Sequence, residues 1–111
     1  MPRAAIEIRE HVDPVDAKKE VLAKLLPNFL RHRAEDVVRL RAALAAGDFE
    51  SIAVIGHNLR GNGASYGFPQ LSAVGATIEQ SARARDAEAI ARDIEHLAAE
   101  TAKLQSSIGE K

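Results

Sequence analysis

The stretch DAEAIARDIEHLAAETAKLQSSI, residues 86–108, decides the fold, because its apolar positions recur alternately every three and every four residues. This 3.5-residue rhythm is typical of a helix whose apolar seam packs into a left-handed bundle. Asp86, just before the seam, predicts an N-cap. The predicted seam consists of Ala87, Ile90, Ile94, Leu97, Thr101, Leu104 and Ile108.

Three further helices are predicted upstream of this stretch. Their boundaries are marked by Asp13-Pro14, Gly47-Asp48 and Gly67-Phe68-Pro69, which combine C-terminal glycines, N-caps and prolines at the first helical position. Short connections favour antiparallel neighbours. We therefore expect an all-α fold, an antiparallel up-down four-helix bundle over residues 13–111. Residues 1–12 are expected to form a short N-terminal arm or helix.

The first helical pattern, residues 14–46, contains a proline in its interior. Pro27 lacks a backbone N–H and its ring clashes with the preceding turn, so a kink or a break is expected there. We favour a break, with a short first segment and a longer second one. The apolar spacing also has a gap, because Arg33 occupies a position between Phe29 and Val37 that faces the predicted core.

Composition excludes several classes of protein. The chain has 111 residues, 46% of them hydrophobic and 28% charged, which suits one globular domain. A net charge of −1 is not typical of nucleic-acid binding, and the lack of cysteine excludes disulfides and thiolate sites. No apolar run predicts a membrane span, and the N-terminus lacks the apolar core of a signal peptide. We expect a cytoplasmic monomer.

The second predicted helix, from Phe49 to about Tyr66, contains the stretch GHNLRGNGASYG at residues 56–67. With Ile55 taken as the centre of the core face, His57 falls about 200° around the helix, on the outer side. Small residues surround it there, namely Ala53, Gly61 and Ala64, and Arg60 lies beside it. Gly61 costs up to about 1 kcal/mol relative to alanine, which indicates that open space around the imidazole is needed.

This pattern predicts phosphoryl chemistry on the histidine. The pKa of an unperturbed imidazole is about 6.5, so an exposed imidazole is largely neutral and nucleophilic at neutral pH. Arg60 can bind a phosphoryl group and offset its charge. No carboxylate or lysine next to His57 in the sequence is placed to act as a base. We therefore expect a carrier of the group, with the catalytic apparatus on a partner.

The residues His57-Asn58-Leu59-Arg60-Gly61, followed by Tyr66-Gly67, resemble the signature of histidine-containing phosphotransfer domains. In that family the signature is usually His, any residue, an aliphatic residue or Met, Lys and Gly, with a later apolar residue and glycine. The resemblance extends over most of the chain, and the stretch GNGASYGF is similar to that of small, free-standing bacterial members. The chain departs from the pattern at position 60, where arginine replaces lysine.

The resemblance implies specific roles. His57 would accept a phosphoryl group on Nε2 from a kinase or a receiver-domain aspartate, and pass it to a response-regulator receiver. Arg60 would stabilise the phosphoryl group and Gly61 would keep the face open. The chain itself would need no metal or cofactor, since the Mg²⁺ of the exchange belongs to the receiver. We expect the partner to dock around the histidine, on Phe49, Ala53, Val54 and Ala64.

Two alternatives remain open at this point. One is an adaptor that binds a receiver or kinase without carrying phosphate, although such a protein would usually lack the histidine. The other is a helical interaction module unrelated to phosphate. The remaining histidines, His11, His32 and His96, have no ligand-like spacing, so a metal site is not expected.

Overall fold

The computed structural model describes the backbone of residues 14–108 and the side chains of residues 24–108. Over that range the chain forms four helices, α1 (Pro14–Ala46), α2 (Phe49–Ser65), α3 (Pro69–Arg83) and α4 (Ala87–Ser107). α1 packs against α2 and α4, and α3 packs against the same two helices. This arrangement confirms the up-down four-helix bundle. The predicted arm, residues 1–12, lies outside the described residues.

The helix boundaries follow the predicted signals. The carboxylates of Asp48 and Asp86 each accept a hydrogen bond of 3.1 Å from the backbone N–H three residues later, at Ser51 and Ala89. Gly47 has a φ of +68°, a left-handed conformation that ends α1 and that other residues rarely adopt. The turns are therefore specified locally, as the sequence predicts.

The expected break at Pro27 is wrong, because α1 runs continuously from Pro14 to Ala46 with Pro27 inside it. A proline in a helix interior costs about 3 kcal/mol. The chain accepts that cost because residues beside the proline pack on the bundle: Leu26 is half-buried, while Phe29 and Leu30 are buried. Tertiary packing thus holds the helix together where local propensity would interrupt it.

The predicted apolar seams form the core. Leu71, Val74, Ile78 and Ala82 of α3 are all buried, as are four of the seam residues of α4, namely Ile90, Ile94, Leu97 and Thr101. Burial of the α4 seam decreases toward the ends of the helix. Leu104 is half-buried, and Ala87 and Ile108 are exposed. Among residues 14–108, no helix combines the length and the apolarity that crossing a membrane requires.

Arg33, which interrupts the apolar pattern of α1, is buried as part of an ion pair. Its Nε donates to the Asp36 carboxylate at 2.9 Å. Its guanidinium lies 4.7 Å from the centre of the Phe29 ring, which in turn stacks on Tyr66 at 4.0 Å. The cation is thus held by a carboxylate and an aromatic face rather than left unpaired in the core.

Glycines bring α2 and α3 together until their backbones touch. A Cβ atom on Gly63 would lie 2.5 Å from the backbone N of Ser72, and one on Gly75 would lie 2.5 Å from the backbone N of Arg60. A Cβ on Gly56 would lie 2.8 Å from the backbone N of Glu79. No side chain fits at these contacts unless the helices separate.

Replacing Gly75 by alanine should lower the free energy of unfolding by about 1–3 kcal/mol, because the added methyl group would meet the α2 backbone. Gly61→Ala is the matched control in the same helix pair. A Cβ there would meet no atom of another helix within 4 Å, so this substitution should raise stability by up to about 1 kcal/mol. Urea unfolding followed by circular dichroism measures both. A Gly75→Ala protein as stable as the wild type would contradict the close packing.

Candidate functional site

His57 lies in the middle of α2, on the flank that borders α3. The buried residues of α2 are Ile52, Gly56, Leu59 and Gly63, whereas Ile55 is only half-buried. The core face is therefore centred about 70° from Ile55, and His57 lies about 130° from that centre. The expectation that it stands nearly opposite the core is thus corrected. Its side chain is still 59% exposed.

A carboxylate from α3 lies beside the histidine. Glu79 Oε2 is 3.3 Å from His57 Nδ1, and the Glu79 side chain is only 9% exposed. The expectation that no carboxylate stands next to the imidazole was drawn from residues near His57 in sequence, and it is wrong in three dimensions. Glu79 comes from the neighbouring helix, because Gly56 and Gly75 allow that helix to approach.

Glu79 is the centre of a small charge network. Its Oε2 accepts a hydrogen bond of 2.7 Å from Arg83 Nη2, one turn along α3, and its Oε1 lies 3.8 Å from Arg60 Nη1. The Arg83 hydrogen bond holds the pKa of the Glu79 carboxyl below its ordinary value, His57 and Arg60 act in the same direction, and burial opposes them. Glu79 is consequently ionised at neutral pH.

Arg60 stands next to the imidazole, as the sequence predicts. Its Nη2 lies 3.5 Å from His57 Nδ1, and its side chain is half-exposed. The backbone at this residue is fixed, because the Arg60 carbonyl accepts a hydrogen bond of 2.8 Å from the Ser72 hydroxyl. The guanidinium can therefore move between Glu79 and a group bound at the ring without moving its helix.

Open space surrounds the imidazole. Apart from Gly61, its chain neighbours and the nearby backbone of α2, no described atom lies within 4 Å of where a Gly61 Cβ would stand. A shallow cavity of about 320 Å³ lies on one side of the ring, where Ala53, Val54 and Arg83 contribute to its wall. A second cavity, of about 470 Å³, is lined by Arg60 and Ala64 of α2 and by residues of α3.

The four expected partner-binding residues differ in exposure. Val54 and Ala64 are exposed, Ala53 is half-buried, and all three line the two cavities. Phe49 is half-buried against the core, and the guanidinium of Arg85 lies 5.6 Å from its ring centre. Phe49 lines neither cavity and instead packs at the start of α2.

One signal in the sequence points to Glu79. Gly75 and Glu79 are four residues apart in α3, and Gly56 and Arg60 are four apart in α2, so each pair shares a helix face. If the two glycines are recognised as a contact between helices, Glu79 falls beside the turn of His57 and Arg60.

The chemistry available here is nucleophilic, with cations nearby. An accessible imidazole is flanked by two guanidinium groups, Arg60 and Arg83, and one buried carboxylate. Among residues 14–108, no group of three or more His, Cys, Asp or Glu residues is placed to hold a metal ion. The arrangement suits an acceptor for a phosphoryl group, which carries close to two negative charges.

Comparison with known protein families identifies this architecture. A family model described as Hpt domain matches residues 24–107, about three quarters of the chain and nearly the whole described bundle. No curated protein and no solved structure is significantly similar to the chain. The matched region contains His57, Arg60, Gly61 and Glu79. The chain belongs to the histidine-containing phosphotransfer (Hpt) domain family.

Proposed function

We propose that this protein is a phosphorelay intermediate that carries a phosphoryl group on His57. The group arrives from a kinase or a receiver-domain aspartate and leaves to the receiver aspartate of a response regulator. The Hpt family acts in histidine phosphotransfer within phosphorelays, which supports the general role. The observation that carries the assignment to this residue is the exposed imidazole, with open space at Gly61 and a guanidinium 3.5 Å from the ring.

The transfer needs little covalent chemistry from this chain. The lone pair of a ring nitrogen attacks the phosphorus of an aspartyl phosphate, and the P–O bond breaks with its electron pair going to the aspartate carboxylate. The reverse attack, by the aspartate of a second receiver, restores the neutral ring. In-line approach of donor and acceptor is the main requirement, so clearance around the ring matters most. We expect the Mg²⁺ of the exchange to come with the receiver.

Arg60 is proposed to bind the transferred group. Its guanidinium lies between the ring and Glu79, so it can turn from the carboxylate to phosphoryl oxygens over a short distance. A guanidinium binds two oxygens of a phosphoryl group in a planar, bidentate geometry. The lysine usual at this position would act as a point charge. The substitution therefore changes the geometry of binding and keeps its charge.

The partner is proposed to dock on the surface around His57. Val54 and Ala64, on either side of it, are exposed, and Ala53 lies between Val54 and the core edge. These side chains are small or aliphatic, so a receiver can approach them closely, while Arg60 and Arg83 border the same surface. A relay must release its partner after each transfer. The buried area should accordingly fall below about 1,200 Å².

Incubation with a phosphorylated receiver domain should place an acid-labile, base-stable label on the wild-type protein, because phosphohistidine has that stability. His57→Gln should abolish the label. The matched control is His96→Gln, since His96 is also exposed and lies on α4 away from the site. Label that persists in His57→Gln would contradict the assignment. Binding of the receiver without any label on the wild type would favour the adaptor instead.

Gly61→Leu should slow phosphotransfer by at least about tenfold while helix content stays equal or rises, because leucine favours the helix and fills the approach to the ring. Ala99→Leu, at an exposed position of α4, controls for an added surface leucine. Rates of label transfer and far-ultraviolet circular dichroism are the measurements. Transfer at the wild-type rate in Gly61→Leu would show that clearance at residue 61 is not needed.

Arg60→Ala should lower the yield or the lifetime of the phosphorylated form by roughly three- to tenfold, since it removes a charge-assisted hydrogen bond at a half-exposed site. Arg92→Ala, on the exposed face of α4, is the control for loss of a positive charge. The decay of label after removal of the donor gives the lifetime. If both variants behave like the wild type, Arg60 is only a surface charge.

A further inference from the structure

We propose that the cleft between α1 and α2 is a binding site for a small oxyanion, a carboxylate or a phosphate, whose oxygens are bound by Arg33. The cleft is a cavity of about 260 Å³, large enough for several water-sized groups. All but one of its lining residues are polar or charged. They are Arg33, Asp36 and Arg39 of α1, and Ile55, Asn58 and Asn62 of α2.

The cleft lies on the flank of α2 away from the site at His57. Asn58 and Asn62 are about 100° and about 140° around the helix from His57, which borders α3 instead. No residue that lines the cleft also lines the cavity beside His57 or the cavity at Arg60. An anion in the cleft is therefore a second ligand, distinct from the group that His57 is proposed to carry.

Arg33 is the main reason to expect a ligand, because it is a nearly buried cation with unused hydrogen-bond donors. Its side chain is 10% exposed, and its only hydrogen bond within the described residues runs from Nε to Asp36. The Phe29 ring covers one face of the guanidinium at 4.7 Å. The edge formed by the two Nη atoms, with four N–H groups, remains for a partner. Buried donors without a partner are costly, so a group in the cleft should fill this role.

The charges that line the cleft leave a net positive charge. Both oxygens of Asp36 are occupied, since Oδ2 accepts from Arg33 at 2.9 Å and Oδ1 accepts from Arg39 at 2.7 Å. One carboxylate thus offsets two guanidinium groups. The remaining charge suits a single carboxylate or phosphate group, which a guanidinium can bind through two parallel N–H···O bonds.

The wall formed by α2 adds neutral hydrogen-bonding groups. Asn58 and Asn62 lie one turn apart on the same helix face, and neither side-chain amide makes a hydrogen bond with any described residue. Each amide offers N–H donors to an oxyanion and a carbonyl oxygen to a hydroxyl group. Asparagine is a poor helix former, so the helix itself gains no stability from either residue.

A neighbouring cavity gives room for the rest of a ligand. It has a volume of about 320 Å³, and Arg33 and Asn62 line it as well as the cleft. Asn28, His32 and Tyr66 supply further polar groups to its wall. A ligand can therefore keep its oxyanion on Arg33 while its body occupies the second cavity. This arrangement fits a small organic acid or phosphoester that also carries a hydroxyl group.

NMR titration of the nitrogen-15-labelled wild-type protein with sodium phosphate and, separately, with sodium acetate tests the site. The side-chain signals of Arg33 Nε and of the Asn62 amide should shift and saturate, with a Kd below about 10 mM. Sodium chloride at matched ionic strength controls for screening. Saturation by only one of the two oxyanions identifies which kind the cleft prefers. Shifts that merely follow ionic strength, or no shifts at all, would overturn the proposal.

Two substitutions test whether the oxyanion lies in the cleft. Arg33→Lys keeps the positive charge beside Asp36 but removes the paired Nη donors, so the Kd should rise by about tenfold. Asn62→Leu keeps both arginines and fills the cleft, and it should weaken binding at least as much. Circular dichroism confirms that each variant is folded. Binding at the wild-type affinity in a folded Asn62→Leu protein would refute the site even where Arg33→Lys does not fold.

Arg60→Ala is the matched control, because it removes the guanidinium beside His57 and leaves the cleft intact. The shifts at Arg33 and Asn62 should persist in this variant with an unchanged Kd. If Arg60→Ala abolishes them, the anion binds beside His57 and the proposal is wrong. Phosphate or acetate at about ten times its Kd should also raise the Tm of the wild type by several degrees, since it binds only the folded chain. None of these results depends on whether His57 accepts a phosphoryl group.

Discussion

The contact between the backbones of α2 and α3 is the constraint on which the site depends. Gly56 and Gly75 face each other where a Cβ atom on either would lie 2.8–2.9 Å from the other's helix backbone, with closer clashes at Arg60 N. At such a separation a side chain on α3 can reach the flank of α2 directly. Glu79 does so one turn beyond Gly75, and His57 follows Gly56. The same contact that packs α2 against α3 therefore also determines which residues surround the imidazole.

The close contact between α2 and α3 also determines the electrostatic surroundings of Glu79, a carboxylate that is largely buried. Glu79 is taken out of water by the helix contact, which by itself would favour its neutral form. Three groups that can carry positive charge surround it, with Arg83 at 2.7 Å, His57 at 3.3 Å and Arg60 at 3.8 Å. Because the cations remain largely exposed, the cost of desolvation falls on the carboxylate alone. The arrangement presents positive charge to the solvent, where an anionic phosphoryl group would arrive.

Sequence reasoning was most successful where local chemistry decides structure. The caps at Asp48 and Asp86, the left-handed glycine at position 47 and the apolar seams of α3 and α4 were predicted because each depends on residues within a few positions. It failed at Pro27, where packing of distant residues overrides a local penalty. At the candidate site it correctly placed His57, Arg60 and Gly61 on one helix, and their roles stay predictions.

What sequence reasoning missed at the site comes from another helix. Glu79 follows Ile78 in the α3 seam and looks like an ordinary solvent-side residue of an amphipathic pattern. Its place beside His57 depends on the distance and rotation of α3 relative to α2, and no periodicity within one helix contains that information. The wheel centred on Ile55 failed for the same reason, since the glycines move the buried face of α2 toward α3.

The glycines of α2 differ in their surroundings, which the sequence alone does not show: some pack against α3 and one does not. Gly56, Gly61 and Gly63 each cost the helix up to about 1 kcal/mol relative to alanine. For Gly56 and Gly63 the packing against α3 supplies a reason, because a methyl group would push the helices apart. For Gly61 no atom of another described helix lies within 4 Å of where a Cβ would stand. Packing within the described bundle therefore gives no reason for this glycine, and this is the observation that supports the proposed clearance around the imidazole four residues earlier.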